Sequence, residues 1–353
     1  VVDYLSFLPM NHVVEGILAA YGPYYAPGKL NIYFLEDFRD LQKTLVQVNP
    51  TIFFGVPRFY EKVWEGLLEN NVGRKYVDAE AGLKKTILRK LVRGALLKKA
   101  GLNECRQMFV GSAPIGEDLV ASYSELGIDV LNAFGLTEAP VVTMNMQGRN
   151  RPGTVGEPLP ETEVVIADDE EILLKGPQVT PGYLDPGVAS PFRDGYFMSG
   201  DLGYMTREGS LVIHGRKKEL IVTSYGKNIH PVKVESYIRD IPGVDEVCVV
   251  GDARPFCTAL IWAGKEGDPN TAVGNVETSM LLINKRLSNP EQIKKWAVLE
   301  NDLSIDGGDM TASLKLKRAA VNKRFTPVIE ALYGEGEAPA EGVLHIGGGD
   351  RAK

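Results

Sequence analysis

A run of five residues, Phe134-Gly135-Leu136-Thr137-Glu138, combines a glycine, a hydroxyl and a carboxylate directly after a predicted strand. A glycine lets the backbone approach a ligand, a hydroxyl can hydrogen-bond a phosphate oxygen, and a carboxylate can hold Mg²⁺ beside that phosphate. The same residues also fit a strand end followed by a helix cap. Taken alone, this run leaves nucleotide binding and a purely structural turn both open.

Four further motifs accompany this run. They are Gly111-Ser112-Ala113-Pro114 upstream, and Ser199-Gly200-Asp201-Leu202-Gly203, Gly215-Arg216-Lys217-Lys218-Glu219-Leu220-Ile221 and Met310-Thr311-Ala312-Ser313-Leu314-Lys315-Leu316-Lys317-Arg318 downstream. Their order and spacing, rather than any one motif, carry the functional information.

Other catalytic patterns are not supported by the sequence. The serine of Gly111-Ser112-Ala113-Pro114 does not lie in the G-x-S-x-G of a hydrolase, and no G-x-G-x-x-G follows a strand as in nicotinamide enzymes. His12 and Glu15 lie three residues apart, but they lack the second histidine of H-E-x-x-H. We therefore reject a metal pair at this position.

Composition narrows the class of protein further. A chain of 353 residues exceeds one hydrophobic core, so two or more domains are expected. A net charge of −7 argues against broad nucleic-acid binding, and three cysteines without a C-x-x-C spacing argue against a disulfide framework or zinc site. No apolar run reaches the roughly 20 residues of a membrane span, and the start is not a signal peptide. These features predict a cytoplasmic protein.

The elements that must position the motifs follow from periodicity. Helices are predicted at Asp37–Val48, Phe59–Leu68, 83–100, Glu117–Leu126 and Val232–Asp240, with two more before Tyr333. Strands are predicted at Val1–Pro9, Thr51–Gly55, Met108–Val110, Asp129–Asn132, Glu163–Ala167, Glu171–Lys175, Gly209–His214, Val244–Gly251 and Thr258–Ala263. We expect the chain to start within a domain, because a buried strand opens it.

These elements predict an α/β fold in two domains. Residues 1–215 form a large domain of parallel βαβ units that becomes β-rich from about residue 151. Residues 216–219 form a hinge, residues 220–333 a small mobile α+β domain, and residues 334–353 a loose tail rich in Gly, Ala and Glu. We find no internal repeats.

The ordered motifs resemble those of the adenylate-forming superfamily, which includes acyl-CoA synthetases, luciferases and peptide-synthetase adenylation domains. The resemblance runs from about Asp3 to Tyr333. Three segments are most similar to long-chain fatty-acyl ligases: Leu5–Glu15 matches "LSxLPxxHxxE", Gly55–Lys62 matches "VPRxxEK", and Thr311–Arg318 has the Thr-x-Ser-Leu-Lys-x-Lys-Arg form. The resemblance implies ATP-dependent activation of a long-chain fatty acid, followed by thioester formation with CoA.

The resemblance also implies roles for individual residues in nucleotide binding. The adenine slot would be formed by Ser112, Ala113, Pro114, Asn132, Ala133, Phe134 and Gly135. Phe134 would stack on the base, where the family usually has tyrosine. Thr137 would hold the α-phosphate, Glu138 the Mg²⁺, Asp201 both ribose hydroxyls, and Arg216 would assist at the ribose.

Catalysis and the second substrate are assigned in the same way. The resemblance implies that Lys315 offsets charge between the acyl carboxylate and the α-phosphate. Lys218 falls at the family's hinge, and Gly226 and Lys227 lie in the loop implied to meet CoA. His12 and Val56 fall at the acyl pocket, although a lone histidine beside a proline turn is equally well explained as a structural residue.

One departure keeps alternatives open. The family's Ser/Thr/Gly-rich loop, which wraps the β- and γ-phosphates, would precede Val1, and no G-x-x-x-x-G-K-[ST] replaces it in this sequence. A fatty-acyl-AMP ligase that delivers to a carrier protein is one alternative. A non-catalytic fragment that binds nucleotide or acyl chain is another.

The predicted helix at 83–100 carries seven basic residues and no acidic one. Leu83, Ile87, Leu91 and Ala95 share one face, which suggests peripheral contact with a membrane that holds the fatty acid. A surface helix docked on the core is the competing interpretation, and the pattern favours it because Gly94 weakens the helix.

Overall fold

The computed structural model describes residues 1–185, 187–264, 268–311, 315–337 and 341–348. The chain divides into two compact units. Unit 1 comprises Val1–Ser199 with Gly203–Ile213, and unit 2 comprises Gly200–Leu202 with His214–Lys353. In the part of the chain that is described, no helix combines the length and apolar character needed to cross a membrane.

Unit 1 contains a seven-stranded sheet in the order β2-β1-β3-β4-β5-β6-β7. Its strands are β1 (Val2–Ser6), β2 (Leu30–Phe34), β3 (Ile52–Gly55), β4 (Gln107–Val110), β5 (Val130–Phe134), β6 (Thr143–Met144) and β7 (Glu157–Pro158). Strands β1 to β5 are parallel to one another, whereas β6 and β7 join in antiparallel fashion. Parallel strands end at one edge of a sheet, so the segments that follow β1, β3, β4 and β5 are brought to the same edge.

Seven helices belong to this part of unit 1. They are α1 (Val13–Glu15), α2 (Gly22–Tyr25), α3 (Leu41–Val48), α4 (Pro57–Leu68), α5 (Asn71–Val77), α6 (Leu83–Ala100) and α7 (Glu117–Leu126). A π-helix at Gly16–Tyr21 joins α1 to α2, and a 3-10 turn at Phe38–Asp40 precedes α3. Apolar residues at helical spacing bury Leu45, Tyr60, Leu96 and Tyr123 in one core with β3 and β4.

A β-rich part of unit 1 follows. Its sheet has the order β10-β11-β9-β8, with β12 paired to β11. The strands are β8 (Glu163–Ile166), β9 (Glu171–Lys175), β10 (Phe192–Arg193), β11 (Tyr196–Met205) and β12 (Leu211–Arg216). Gly200–Leu202 of β11 and His214–Arg216 of β12 are assigned to unit 2. A second core forms between this sheet and the segment after β5, and it includes Phe134, Leu136, Ile172 and Leu211.

Unit 2 is built on a four-stranded sheet in the order β15-β16-β17-β18. A short hairpin precedes it, formed by β13 (Ile221–Val222) and β14 (Asn228–Ile229). The sheet strands are β15 (Val244–Val250), β16 (Cys257–Ala263), β17 (Ile293–Leu299) and β18 (Val343–Gly348), and the helices are α8 (Pro231–Arg239), α9 (Pro269–Arg286), α10 (Arg318–Arg324) and α11 (Thr326–Tyr333). Short 3-10 turns lie at Lys217–Glu219 and Asn289–Glu291. Every residue of β16 is buried, because hydrophobic clusters cover both faces of the sheet.

The predicted α/β class, the parallel βαβ units and the β-rich segment after residue 151 are confirmed. The loose tail is wrong for Val343–Gly348, which pairs with β17 as an edge strand. Gly347 and Gly348 interrupt the alternation of apolar and polar residues in the tail, so the sequence pattern did not indicate this strand. Among the described residues between β16 and Gly334 there are three helices rather than two, because the turn at Phe325 divides α10 from α11. The sequence did not predict the strands β2, β6, β7, β10, β11, β13, β14 and β17.

Candidate nucleotide and acyl site

Four predicted site segments of unit 1 follow strands that end at the same edge of the sheet. Residues Phe7 to His12 follow β1, Val56 follows β3, Ser112 follows β4, and Gly135 to Glu138 follow β5. In parallel sheets ligands bind outside the carboxyl ends of the strands. The fold thus gathers segments that are separated by up to 126 residues in sequence (12 to 138).

His12 and Ser112 are in direct contact although 100 residues separate them. The distance between His12 Nε2 and Ser112 Oγ is 3.1 Å. His12 Nδ1 accepts a hydrogen bond from the backbone N–H of Val14, so Nε2 carries the ring proton and donates it to the Ser112 hydroxyl. Ser112 has φ +69°, a left-handed conformation that non-glycine residues rarely adopt. The contact joins the predicted acyl-pocket histidine to the predicted adenine loop.

The turn that carries His12 is organised by a buried carboxylate. Glu15 is fully buried, and its Oε1 accepts hydrogen bonds from the backbone N–H groups of Phe7 and Leu8 at 3.0 and 2.9 Å. Its Oε2 accepts one from the hydroxyl of Tyr4 at 3.0 Å. Burial, and then the charge of Glu15, raise the pKa of Tyr4 far above its ordinary value, so this hydroxyl remains a donor. Glu15 therefore supports His12 rather than binding a metal with it.

The loop after β5 closes on itself and presents Thr137 and Glu138 at its tip. Leu136 and Ala139 exchange backbone hydrogen bonds of 2.8 and 3.3 Å, and the N–H of Thr180 donates to the carbonyl of Glu138 at 2.7 Å. A Cβ atom added to Gly135 would lie 1.9 Å from the carbonyl oxygen of Pro140. Only glycine fits this close approach, which leaves Thr137 exposed.

Glu138 has one partner that the sequence did not indicate. The hydroxyl of Tyr183 donates to Glu138 Oε1 at 2.8 Å, and this bond raises the pKa of Tyr183. Within the described ranges, no group of three or more His, Cys, Asp or Glu residues could hold a metal ion. A single carboxylate fits Mg²⁺, since Mg²⁺ is commonly held by one or two carboxylates with waters and substrate phosphates.

The remaining adenine-slot residues lie on β5 and the loop after β4. Asn132 and Ala133 are half-buried in β5, Ala113 is half-buried, and Pro114 is exposed. Phe134 is 8% exposed and packs in the core of the β-rich part, so little of its surface is accessible to a base.

In unit 2, Asp201 lies against a cation. Asp201 is 4% exposed, and its Oδ1 is 3.1 Å from Arg216 Nε. Burial raises the pKa of Asp201 to about 6, although the charges of Arg216 and Lys315 act in the opposite direction. Glu219 adds to the increase through its own negative charge.

The charged groups that act on Asp201 also act on Lys315. Desolvation, followed by the positive charge of Arg216, lowers the pKa of Lys315, while Asp201 and Glu219 oppose that shift. The predicted ribose residues and the predicted catalytic lysine therefore occur together. Glu219, which joins them, was not singled out from the sequence; its position directly after Lys218 was the available indication.

Lys315 lies at the base of a short antiparallel turn. Met310 and Leu316 form a bridge, the N–H of Thr311 donates to the carbonyl of Lys315 at 2.8 Å, and the N–H of Lys315 donates to Thr311 Oγ1 at 3.0 Å. Ala312, Ser313 and Leu314 of this motif lie outside the described residues.

The residues predicted to meet CoA lie in the β13–β14 turn. Gly226 has φ +68°, and its N–H donates to the carbonyl of Thr223 at 2.8 Å. The N–H of Lys227 donates to Thr223 Oγ1 at 3.1 Å. Lys218, the predicted hinge residue, is exposed in the 3-10 turn Lys217–Glu219.

Known proteins resemble this chain in sequence. A long-chain-fatty-acid–CoA ligase of Mycobacterium bovis, FadD15, is 33% identical over 93% of this chain and 62% of its own length. The long-chain-fatty-acid–CoA ligase ACSBG2 of Gallus gallus is 27% identical over 95% of this chain and 53% of its own length. The chain thus spans between half and two thirds of these relatives.

Solved structures share the fold. The adenylation domain of a carboxylate reductase from Mycobacterium chelonae superposes with a TM-score of 0.75 at 21% identity, covering 94% of this chain and 54% of that one. O-succinylbenzoate coenzyme A synthetase from Bacillus subtilis, solved with AMP, gives 0.64 at 23% identity, covering 90% and 60%. Residues 2–184 match the family described as AMP-binding enzyme, and residues 218–337 match the AMP-binding enzyme C-terminal domain. The chain belongs to the AMP-binding enzyme family.

Proposed function

We propose that this protein activates a long-chain fatty acid with ATP to acyl-AMP and then forms a thioester with CoA, releasing AMP and pyrophosphate. The contact between His12 and Ser112 carries this proposal, because it places the residue implied for the acyl pocket against the loop implied for adenine. The likeness to long-chain-fatty-acid–CoA ligases, which covers 93% of this chain, supports the choice of substrate.

Unit 1 would bind the base, the α-phosphate and the acyl chain. Ser112, Ala113 and Pro114 would line one side of the adenine, with Asn132 to Gly135 on the other. The exposed hydroxyl of Thr137 would donate to the α-phosphate. His12 and Val56 would contact the acyl group near its carboxylate.

Unit 2 would bind the ribose and lower the barrier of adenylation. Asp201 would accept hydrogen bonds from both ribose hydroxyls, since a carboxylate offers two acceptor oxygens, and Arg216 would orient it. Lys315 would offset the negative charge that the acyl carboxylate and the α-phosphate bring together. An ammonium on a short turn, within the electrostatic influence of Asp201, suits that role.

Mg²⁺ would be held by Glu138 and by phosphate oxygens, where it would neutralise charge on the nucleotide. Tyr183 orients the Glu138 carboxylate by donating to one of its oxygens. For the second half-reaction, Gly226 and Lys227 would meet CoA, and Lys218 would be the hinge that lets the C-terminal domain change position between the two steps.

The test follows pyrophosphate with ATP, Mg²⁺, CoA and fatty acids of increasing length. We expect pyrophosphate release that depends on a long-chain acid, acyl-CoA as product, and loss of release in Lys315→Ala. Acyl-AMP that forms but passes only to a carrier protein would identify the fatty-acyl-AMP ligase instead. Acyl-AMP binding without turnover, unchanged by Lys315→Ala, would replace the proposal with a non-catalytic binding role.

We also propose that α6 brings the protein to a membrane surface. The helix docks on the core through Val92, Leu96 and Leu97. Leu83, Ile87 and Leu91, spaced by four, are instead 79%, 53% and 61% exposed. The face that the competing interpretation placed against the core is therefore open in unit 1.

The charges of α6 suit an anionic lipid surface. Lys84, Lys90 and Lys98 are exposed on α6 and are absent from the ion pairs found among the described residues. Lys85 differs, since it pairs with Glu125 at 2.7 Å. Exposed apolar residues on a helix rich in lysine and arginine are typical of helices that lie in the membrane interface, where long-chain acids are held.

Co-sedimentation with vesicles of phosphatidylcholine and phosphatidylserine tests this contact. We expect Leu83→Ser/Ile87→Ser/Leu91→Ser and Lys84→Glu/Lys90→Glu/Lys98→Glu each to lower the bound fraction several-fold, and salt to weaken binding of the parent chain. The double substitution Leu281→Ser/Leu282→Ser, at two exposed leucines of α9, is the matched control. Equal vesicle binding by all variants would contradict the membrane contact. It would also be contradicted if Leu83→Ser/Ile87→Ser/Leu91→Ser bound vesicles as the parent does and only lost association between copies of the chain.

A further inference from the structure

The segment that carries Lys315 has little regular structure of its own. One bridge and two hydrogen bonds to Thr311 hold it on its N-terminal side. On the other side, Lys317 donates its N–H to the carbonyl of Asp309 at 2.7 Å, and α10 begins at Arg318. Three residues span at most about 10 Å, so whatever holds Arg318 also limits where Lys315 can lie.

Arg318 is held by a buried carboxylate on another helix. Arg318 Nη1 lies 2.8 Å from Glu235 Oε1, and Nη2 donates to Glu235 Oε2 at 2.9 Å. The Glu235 side chain, in α8, is 5% exposed, and its Oε1 also accepts the N–H of Val249 at 2.7 Å. Arg318 Nη1 in turn donates to the carbonyl of Val249 at 2.9 Å. The guanidinium is thus fastened at once to α8 and to β15.

Stability alone does not explain this ion pair. A buried pair must be desolvated, and replacing both partners by apolar residues is often neutral or stabilising, whereas removing one partner leaves an unpaired charge. The two-point geometry is specific to arginine, because the ammonium of a lysine cannot span both carboxylate oxygens in the same way. Glu219 interacts electrostatically with both Arg318 and Lys315, which couples the pair to the Asp201 neighbourhood.

We propose that Arg318, held by Glu235, is a positioning residue that keeps Lys315 beside Asp201 and Arg216 for the adenylation step. This inference rests on the proposed function of Lys315. It assigns the pair to adenylation, because the proposed function gives Lys315 a role in that step and none in thioester formation from acyl-AMP and CoA.

The test compares Glu235→Leu/Arg318→Met with the parent chain. The double substitution removes both charges and keeps the core filled, so that no charge is left unpaired; it also removes one hydrogen bond each from the N–H and the carbonyl of Val249. Arg254→Met/Glu330→Leu is the control: it removes a second Arg–Glu contact of the same unit, at 2.6 Å, and also takes Arg254 from Glu335, which it contacts at 2.8 Å. Arg318→Lys keeps the positive charge but cannot bond both carboxylate oxygens of Glu235 in the same way.

Two readouts separate positioning from folding. The pH dependence of acetylation of Lys315, followed by mass spectrometry, should move to higher pH in Glu235→Leu/Arg318→Met, because the lysine leaves the surroundings that lower its pKa from 10.5. Adenylation should fall at least about 10-fold, while thioester formation from supplied acyl-AMP and CoA stays within about twofold. Arg318→Lys should show the same split to a smaller extent, and the control pair should show neither change.

The outcomes distinguish this inference from the proposed function. If the parent chain forms no acyl-AMP, the acetylation profile still reports whether the pair places Lys315. An unchanged profile in a folded double variant would overturn the inference, and so would an equal loss of both half-reactions. If the double variant does not fold, the profile and the two rates of Arg318→Lys decide in the same way.

Discussion

Asp201→Asn is the substitution whose consequences for stability follow most directly from the structure. The carboxylate is 4% exposed, and burial raises its pKa to about 6 from an ordinary value of 3.8. The folded protein therefore binds the proton more tightly than the unfolded chain does. This contribution to stability is fully present below pH 3.8 and is lost as the pH rises through 6. An asparagine is neutral throughout and loses nothing over that range.

The size of the effect follows from the two pKa values. A difference of one pKa unit corresponds to about 1.4 kcal/mol, so the change from 3.8 to about 6 amounts to about 3 kcal/mol over the whole titration. Between pH 5 and pH 7.5, where the fold can be studied conveniently, the lost part is about 1.4 kcal/mol. The free energy of unfolding of the parent chain, relative to Asp201→Asn, should fall by that amount.

Urea denaturation at the two pH values measures this difference. Trp262 and Trp296 lie in unit 2 with Asp201, whereas Trp64 lies in unit 1 and packs on Tyr123. Trp64→Phe should be present in both proteins, so that fluorescence follows unit 2 alone. Equal changes in unfolding free energy for the two proteins would refute the reasoning, and a change of opposite sign would show that the Arg216 ion pair outweighs burial.

Ligand binding should follow the same titration. At pH 5 about one tenth of Asp201 is ionised if its pKa is 6, so AMP should bind about 10-fold more weakly than at pH 7.5. Asp201→Asn should bind AMP weakly at both pH values. An affinity for AMP that is equally strong in Asp201→Asn would remove this residue from the ribose site.

Two further substitutions test the architecture of unit 1. In Gly135→Ala the new Cβ would lie 1.9 Å from the Pro140 carbonyl oxygen, so the loop must shift. We expect a loss of about 1–3 kcal/mol of stability, measured by denaturation, and weaker AMP binding, measured by calorimetry. Gly28→Ala, whose Cβ meets no atom within 4 Å, should change neither. Glu15→Gln should lower the free energy of unfolding by about 1–3 kcal/mol in urea denaturation, because an amide cannot accept all the hydrogen bonds of the buried carboxylate. The affinity for acyl-adenylate should fall as well, and the exposed Glu36→Gln is the control. Unchanged stability in Glu15→Gln would contradict the role of this carboxylate.

Local patterns predicted much of the fold. The helices α3, α4, α6, α7 and α8 and the strands β3, β4, β8 and β9 have strong periodicity or turn residues at their ends, and the structure places them within a few residues of the prediction. The strands β2, β17 and β18 were missed because pairing, rather than local pattern, makes them strands. Ala297 and Val298, for example, are buried by contact with both β16 and β18.

The site was predictable in its residues but not in its contacts. The motifs named His12, Ser112, Asp201 and Lys315, but no spacing indicates that a histidine and a serine 100 residues apart share a hydrogen bond. The parallel order of β1, β3 and β4 creates that contact.

The sequence also did not indicate the distant hydrogen-bond partners of the site residues. Tyr183 beside Glu138 and Glu235 beside Arg318 are 45 and 83 residues from the groups they orient. The face of α6 was misassigned for a related reason: a helix with apolar residues on two sides does not indicate which side docks until the sheet beneath it is known.

Binding of a non-hydrolysable acyl-adenylate tests the central claim most directly. Calorimetric titration with a sixteen-carbon acyl-sulfamoyl-adenosine compares its affinity with that of AMP. We predict binding at least about 100-fold tighter than AMP, since the acyl chain adds contacts near His12 and Val56, with most of the affinity lost in Asp201→Asn. Equal affinity for the two ligands, or binding that survives Asp201→Asn unchanged, would contradict the account of an acyl-adenylate site.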